Sequence, residues 1–203
     1  MALREIGNRL LVASHNAGKI AEMRGLLAPH GVTVVAAADL GLAEPAETED
    51  SFEGNARLKA VAAAGAAGLP ALADDSGLAV DALDGAPGVR TADWAETPSG
   101  RDFMLAMRRV HQALGERNAP QPWTARFVCV LCLAWPDGRT RLWRGEVPGR
   151  LIWPVRGRLG HGFDPMFVPQ GDSRSFAEMT EAEKNRVSHR ARAVAAFLRE
   201  MAA

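Results

Sequence analysis

Ser14-His15-Asn16-Ala17-Gly18-Lys19 follows a short apolar run, Leu10 to Ser14, and precedes a helical pattern. A strand-to-helix junction of this kind presents unpaired backbone N–H groups and the positive end of a helix dipole, a setting that suits phosphate. Gly18 lets the backbone approach an anion. Lys19 adds a charge in the first turn, where it opposes the dipole by roughly 0.3–1 kcal/mol; a bound polyphosphate would remove that conflict. The loop lacks the Gly-x-x-x-x-Gly-Lys-[Ser/Thr] pattern, and an ordinary strand-to-helix turn is its alternative. A second segment, Asp74-Asp75-Ser76-Gly77, places two carboxylates side by side. They repel unless a cation or proton intervenes, and in extended backbone they point to opposite sides. One could then hold Mg²⁺ while the other supports the loop. An acidic stretch with Glu47, Glu49 and Asp50 could supply a further carboxylate, since Mg²⁺ takes one or two together with substrate phosphates and water.

Two later segments complete the set. Gly160-His161-Gly162-Phe163-Asp164-Pro165 combines glycines that permit close approach, a stacking ring in Phe163 and an acceptor in Asp164. Glu183-Lys184-Asn185 is followed by Ser188-His189-Arg190. On one continuous helix Lys184 and His189 lie about 140° apart, too far to share a ligand, so a common role requires the helix to break near Ser188, a competent N-cap. Cys129 and Cys132 sit in a strand pattern, where i and i+3 face opposite sides, and this argues against a zinc or redox pair.

The elements that must position these groups alternate in type. Leu10–Ser14 and Val32–Ala36 read as buried strands, separated by a helix from Lys19 to Leu27. Ser51 to Ala67 is Ala-rich and helical, closing at Gly68-Leu69-Pro70. Ala71–Ala73 reads as a short strand entering the Asp74–Gly77 loop, and Leu78–Leu83 as another strand. Ser99 is the expected cap of a helix to Leu114. Thr124–Trp135 and Thr140–Val147 flank Pro136-Asp137-Gly138-Arg139, a hairpin signal. Thr180-Glu181-Ala182-Glu183 is a capping box opening a helical C-terminal stretch. The pattern implies an α/β fold with a mixed β-sheet flanked by helices, residues 1–203 forming one domain of two lobes.

Composition narrows the classes. The chain has 203 residues, 24 Lys+Arg and 24 Asp+Glu, hence zero formal charge, which argues against bulk attraction to nucleic acid or an anionic membrane. Its longest apolar run, Phe127 to Trp135, is about half of the ~20 residues a membrane helix needs. Arg4, Glu5 and Arg9 surround a polar stretch rather than an apolar signal core, and two cysteines suit a reducing compartment; a cytoplasmic protein is expected. Charge is uneven along the chain: six acids and no base from Asp39 to Glu53, six arginines and one Glu from Arg139 to Arg158. These could be cation- and anion-binding segments or two solvated faces. Only Lys19, Lys59 and Lys184 are lysine among 24 cations, so each invites a reason.

Read in order, SHNAGKIAE (Ser14–Glu22), SFEGNARLKA (Ser51–Ala60), ADDSGLAVDALDGAPGV (Ala73–Val89), RGEVPG (Arg144–Gly149), GHGFDPMFVP (Gly160–Pro169) and SFAEMTEAEKNRVSHRARA (Ser175–Ala193) resemble the XTP/dITP (inosine triphosphate) pyrophosphatase family along nearly the whole chain. The resemblance implies hydrolysis of ITP, dITP and XTP to monophosphate and pyrophosphate, Mg²⁺ dependence and a homodimer. By position it implies Asp75 as general base and metal ligand with Glu47, and Lys19 as a catalytic charge. It implies Ser14, His15, Asn16, Ala17, Gly18 and Lys19 around the triphosphate and Ser76 on substrate. It implies His161, Gly162, Phe163, Asp164, Lys184, His189 and Arg190 around base and sugar in a central nucleotide cleft, where Arg190, protonated His189 or a backbone N–H could donate to a 6-oxo group. Departures are His161 in place of an aromatic residue, Gly54 for a common Glu, Glu49 for a common Gly, and Thr91-Ala92-Asp93-Trp94 for a Ser-Ala-Arg-aromatic run. A Maf-like pyrophosphatase for modified pyrimidine nucleotides and a non-catalytic nucleotide sensor are the rival readings.

Overall fold

The computed structural model describes residues 6–202; Arg4 and Glu5 lie outside them. Strand β1 (Arg9–Val12) is buried beyond its first residue and leads through Ser14–Asn16 into helix α1 (Ala17–Leu27). Asn16 caps α1, its side chain accepting from the Lys19 N–H at 3.1 Å, so one orphan donor of the first turn is satisfied locally. Strand β2 (Thr33–Ala36) follows, then the irregular acidic stretch, then helix α2 (Phe52–Ala67). Ser51 caps α2 through the Gly54 N–H, and Gly68 closes it in the left-handed conformation, φ 64°.

Strand β3 (Ala71–Val80) is continuous through Asp74-Asp75-Ser76-Gly77. The loop expected there, and the separate strand Leu78–Leu83, are corrected. Asp, Ser and Gly are poor strand formers, but each carboxylate meets a buried cation, described below, and this compensates for propensity. The chain leaves β3 in a single helical turn, Asp81–Leu83. Strands β4 (Glu96–Thr97) and β5 (Gly100–Arg101) form a small ribbon. Ser99 lies in its turn; the cap of helix α3 (Phe103–Glu116) is Asp102, whose side chain accepts from the Leu105 N–H at 3.0 Å. Strands β6 (Thr124–Ala134) and β7 (Thr140–Leu151) form the expected hairpin, and β8 (Phe167–Pro169) pairs antiparallel with β7. Helix α4 (Glu181–Val187) opens on the Thr180–Glu183 capping box, ends at Ser188, which is extended, and gives way to helix α5 (His189–Ala202).

The six-stranded sheet has the order β2-β1-β3-β6-β7-β8. β1 runs parallel to β2 and β3, with Leu11 opposite Val35 and Ala71, while β7 and β8 are antiparallel. The sheet is therefore mixed, as expected. The chain divides into two compact units, each with its own core. The first comprises residues up to Asp75, Cys129–Gly145 and Arg190 onward. Its core packs Leu10, Val12, Met23, Leu27, Leu72, Leu131 and Phe197. Trp143 meets Phe197 edge-on at 5.1 Å and donates its indole N–H to Glu200 at 2.6 Å. The second comprises Ser76–Val128 and Glu146–His189. It buries Leu78, Val80, Val110, Leu114 and a cluster of Phe127, Phe163, Phe167 and Phe176.

Phe197 is fully buried. Phe197→Ala is expected to cost about 3–5 kcal/mol through lost transfer energy and the cavity left behind, seen as a lower urea midpoint with unchanged slope. A midpoint equal to that of the parent protein would count against Phe197 as a central core residue.

Candidate functional site

Alternation along β3 sends Asp74 and Asp75 to different partners, as the extended reading requires. Asp74 is 2% exposed and receives Lys19 Nζ at 3.2 Å and Arg190 Nη2 at 3.0 Å. Burial alone would raise its pKa; Lys19, Arg190 and Lys59 overcome that and hold the carboxyl well below the usual carboxylate range. Arg190 Nη1 reaches Glu22 of α1, so both terminal nitrogens of this 2%-exposed guanidinium are on carboxylates. Arg190 therefore stands in the first turn of α5, after the expected break at Ser188, yet its observed partners are acids of this chain rather than an open face offered to a base. Lys19 is relieved in the same way: Asp74 already offsets much of its conflict with the α1 dipole.

Asp75 faces α2. Lys59 Nζ donates to Asp75 Oδ1 at 3.1 Å and to Glu47 Oε1 at 2.6 Å. Burial opposes the charge on Lys59, but attraction to Asp75, Asp74 and Glu47 prevails and raises its pKa above the ordinary lysine value. One ammonium thus serves two carboxylates. Asp75 is the less compensated: burial pushes its pKa up to about 6, with Lys59 pulling down and Glu47 pushing further up. Asp75 Oδ2 is buried without a hydrogen-bond partner. Among the described residues no group of three or more His, Cys, Asp or Glu could hold a metal alone. Glu47 with Asp75 is a two-carboxylate set with an unsatisfied oxygen, and that fits Mg²⁺, which draws its other ligands from water and substrate.

The rest of the loop before α1 sits close by. Ser14 is buried and its Oγ accepts from the Asn16 N–H at 3.2 Å; His15, Asn16 and Ala17 are exposed, Gly18 half-buried. The acidic stretch is pinned by Asn55, 2% exposed, which bonds both backbone groups of Glu49 at 3.0 and 3.1 Å. Gly54 and Glu49 explain each other. A Cβ on residue 54 would lie 2.6 Å from Glu49 Cβ, so a side chain at 54 requires residue 49 to shift.

The second unit holds its own group. Asp164, 2% exposed, accepts from Lys184 Nζ at 2.7 Å and from the His161 N–H at 2.8 Å. Gly160 has φ 72°, and a Cβ there would collide with Asp164 Oδ2, so this glycine admits a carboxylate of its own loop. His189 stacks on Phe127 at 4.8 Å and 12°. Lys184 lies 5.8 Å from the Phe176 ring. Ser76 and Gly162 are half-buried and His161 exposed. Phe163 is 1% exposed, and its ring meets Phe103 edge-on at 6.0 Å. Four of the six arginines of the basic stretch are in ion pairs, Arg139 with Asp137, Arg141 with Glu200, Arg144 with Glu53 and Arg156 with Glu178. Burial pushes the Cys129 thiol up to about 12 and Cys132 up to about 11, which leaves both protonated.

Residue typing missed Glu22, Asn55, Lys59 and the anchoring role of Asp74. Lys59 carried a signal, being one of three lysines in an Arg-rich chain. Glu22 carried none, since an acid on an amphipathic helix normally faces water.

Two stability experiments follow. Arg190→Met strips a guanidinium from two buried carboxylates and is expected to cost about 3–5 kcal/mol; an unchanged urea midpoint would show that this network contributes nothing. Gly54→Ala is expected to cost about 1–3 kcal/mol by overpacking, and most of that should vanish in a Glu49→Gly background. Strictly additive effects in the double mutant would refute the steric coupling.

Sequence and structure comparisons agree with one another. Residues 10–200 match the sequence model of the Ham1 family. The chain is 61% identical over 193 residues to a dITP/XTP pyrophosphatase of Ruegeria pomeroyi, covering 95% of each. It is 58% identical to the protein of that name from Gluconobacter oxydans, covering 95% of this chain and 90% of that one. Among solved structures, a HAM1 protein from Coxiella burnetii superposes with TM-score 0.85 at 33% identity over 94% of this chain and 96% of the other. A nucleoside-triphosphatase / dITP/XTP pyrophosphatase from Mycobacterium abscessus gives 0.73 at 39% identity over 94% and 98%. With the match spanning both units and every segment that carries the site, this chain belongs to the Ham1 family.

Proposed function

We propose that this protein hydrolyses deaminated purine nucleoside triphosphates, dITP, ITP and XTP, to the monophosphate and pyrophosphate. The observation that carries the reading is Asp75: a buried carboxylate with one oxygen on Lys59, which also holds Glu47, and the other oxygen without a partner. The names of relatives at more than half identity point the same way. In this reading Asp75 Oδ2 takes the proton of the attacking water, and Asp75 and Glu47 would hold Mg²⁺. When bound, the ion would supply neutralising charge for the phosphate oxygens. Lys59 keeps the two acids together. Ser14 to Lys19 receive the triphosphate on the α1 N-terminus, where exposed N–H groups and Lys19 oppose charge building on the leaving pyrophosphate.

Ser76, His161 to Asp164, Lys184 and His189 are assigned to base and sugar. Donors that satisfy a 6-oxo group are left unpaired by a 6-amino group, at about 1–3 kcal/mol each, which favours ITP over ATP. Lys184 and His189 are assigned as donors to the base, and Arg190, engaged by Glu22 and Asp74, acts by holding Asp74 in place. A homodimer acting in the cytoplasm completes the proposal. Among the described residues no helix is long and apolar enough to cross a membrane.

A pyrophosphate-release assay across ITP, dITP, XTP, ATP, GTP, UTP and 5-methyl-UTP, with and without Mg²⁺, tests it. Release from the 6-oxo purines that requires Mg²⁺ is expected. Preference for the pyrimidines would transfer the protein to the Maf-like reading, and binding without release to the sensor reading. Asp75→Asn is expected to lower turnover by a factor of about 10² or more while leaving the unfolding midpoint near that of the parent. Turnover near the parent value would remove Asp75 from the chemistry.

A further inference from the structure

The acidic stretch that carries Glu47 is held at few points. Asn55 fixes it at Glu49, and Lys59 takes the Glu47 carboxylate. From Ala43 to Ala46 the backbone makes no hydrogen bond among the described residues. At the far end Leu42 is anchored twice: its N–H donates to the Ala37 carbonyl at 3.1 Å, and its carbonyl accepts from His15 Nε2 at 2.8 Å. A carbonyl oxygen only accepts, so Nε2 carries the proton in this contact. The other ring nitrogen lies 3.5 Å from a Glu44 oxygen, two residues further along the same stretch. His15 itself belongs to the loop that leads into α1, 27 residues earlier in the chain. A single imidazole thereby joins the loop before α1 to the stretch bearing Glu47.

We propose that His15 is a positioning residue: by clasping Leu42, and Glu44 beside it, it fixes the stretch from which Glu47 reaches toward Asp75 and so raises the affinity of that carboxylate pair for a divalent cation. The inference rests on the reading of Glu47 and Asp75 as the metal pair, and it goes beyond that reading by giving His15 a role toward the metal through the peptide chain rather than through contact with phosphate. The physical logic is loop ordering. A segment tethered at Leu42 and Glu49 has little freedom between them, and Pro45 restricts it further. Released at Leu42, the same segment must be ordered by the ion itself, and that entropy is subtracted from binding.

The test uses the full chain without nucleotide and Mn²⁺ as the probe. Mn²⁺ binding is followed by electron spin resonance, and amide deuterium uptake is measured over residues 42–50. His15→Phe keeps the ring and removes the donor. It is expected to weaken Mn²⁺ binding about fivefold, the weight of one ordinary hydrogen bond, and to accelerate deuterium uptake in that segment. His15→Gln places an amide N–H where Nε2 stood, and is expected to restore both readouts toward the parent values. Parent-like uptake and Mn²⁺ affinity in His15→Phe would overturn the proposal, as would equal losses in the Phe and Gln variants. If the parent protein binds no Mn²⁺, the metal-pair reading of Glu47 and Asp75 falls, and the deuterium uptake alone still decides whether His15 holds the stretch.

Discussion

Adjacent carboxylates buried in one strand are directed to different hydrogen-bond partners, because the pleat turns successive side chains to opposite faces. Asp74 and Asp75 accordingly meet different cations. The first unit supplies them from elements distant in sequence: Lys19 from α1 and Arg190 from α5 for Asp74, Lys59 from α2 for Asp75. Two further acids, Glu22 and Glu47, enter through Arg190 and Lys59. Asp75 and Glu47 lean on a single ammonium, that of Lys59. A buried ion network of this kind is weak evidence for stability. Its value lies elsewhere: Lys59 orients Asp75 and Glu47 toward one another.

The second unit solves a smaller problem by the same means. Asp164 is buried in a loop beside an aromatic core, and Lys184 with the His161 N–H satisfies one of its oxygens. The glycine at 160 exists because the carboxylate occupies the space a side chain would need. The loop is thus shaped from within, by its own acid, and Phe163 is drawn into the core as its apolar anchor. The break at Ser188 places His189 against Phe127, while Arg190, one residue later, belongs to the network around Asp74.

Much of this was legible in the sequence, for physical reasons that can be named. Local signals sufficed wherever a cap or turn is set by neighbours: Ser51 and Gly68 bounding α2, Thr180 with Glu183 opening α4, and Pro136-Asp137-Gly138-Arg139 between β6 and β7. They failed where tertiary charge overrides propensity. Asp74-Asp75-Ser76-Gly77 reads as a loop by composition and is strand because buried cations meet it. Ser99 and Asp102 are both competent caps, and the β4–β5 turn, itself too short to announce, decides between them. At the site, the sequence and its family resemblance put forward Asp75, Lys19, Glu47, Lys184 and His189 as candidates. The connections among them were not legible, because Glu22, Asn55 and Lys59 act through pairings across 168, 6 and 12 residues of chain that no spacing rule encodes.

The same distinction accounts for Glu49 and Gly54. Taken one at a time, an acid for a glycine and a glycine for an acid each look like a perturbation of the metal loop. In space the two positions are in contact, and a side chain at 54 requires residue 49 to shift. The exchange therefore moves a carboxylate across a single contact while Asn55 keeps the backbone of residue 49 in place. What the structure shows here is a fixed path for the chain into α2, held by Asn55 on the backbone of Glu49. That is why Glu47, two residues before the exchange, still reaches Lys59.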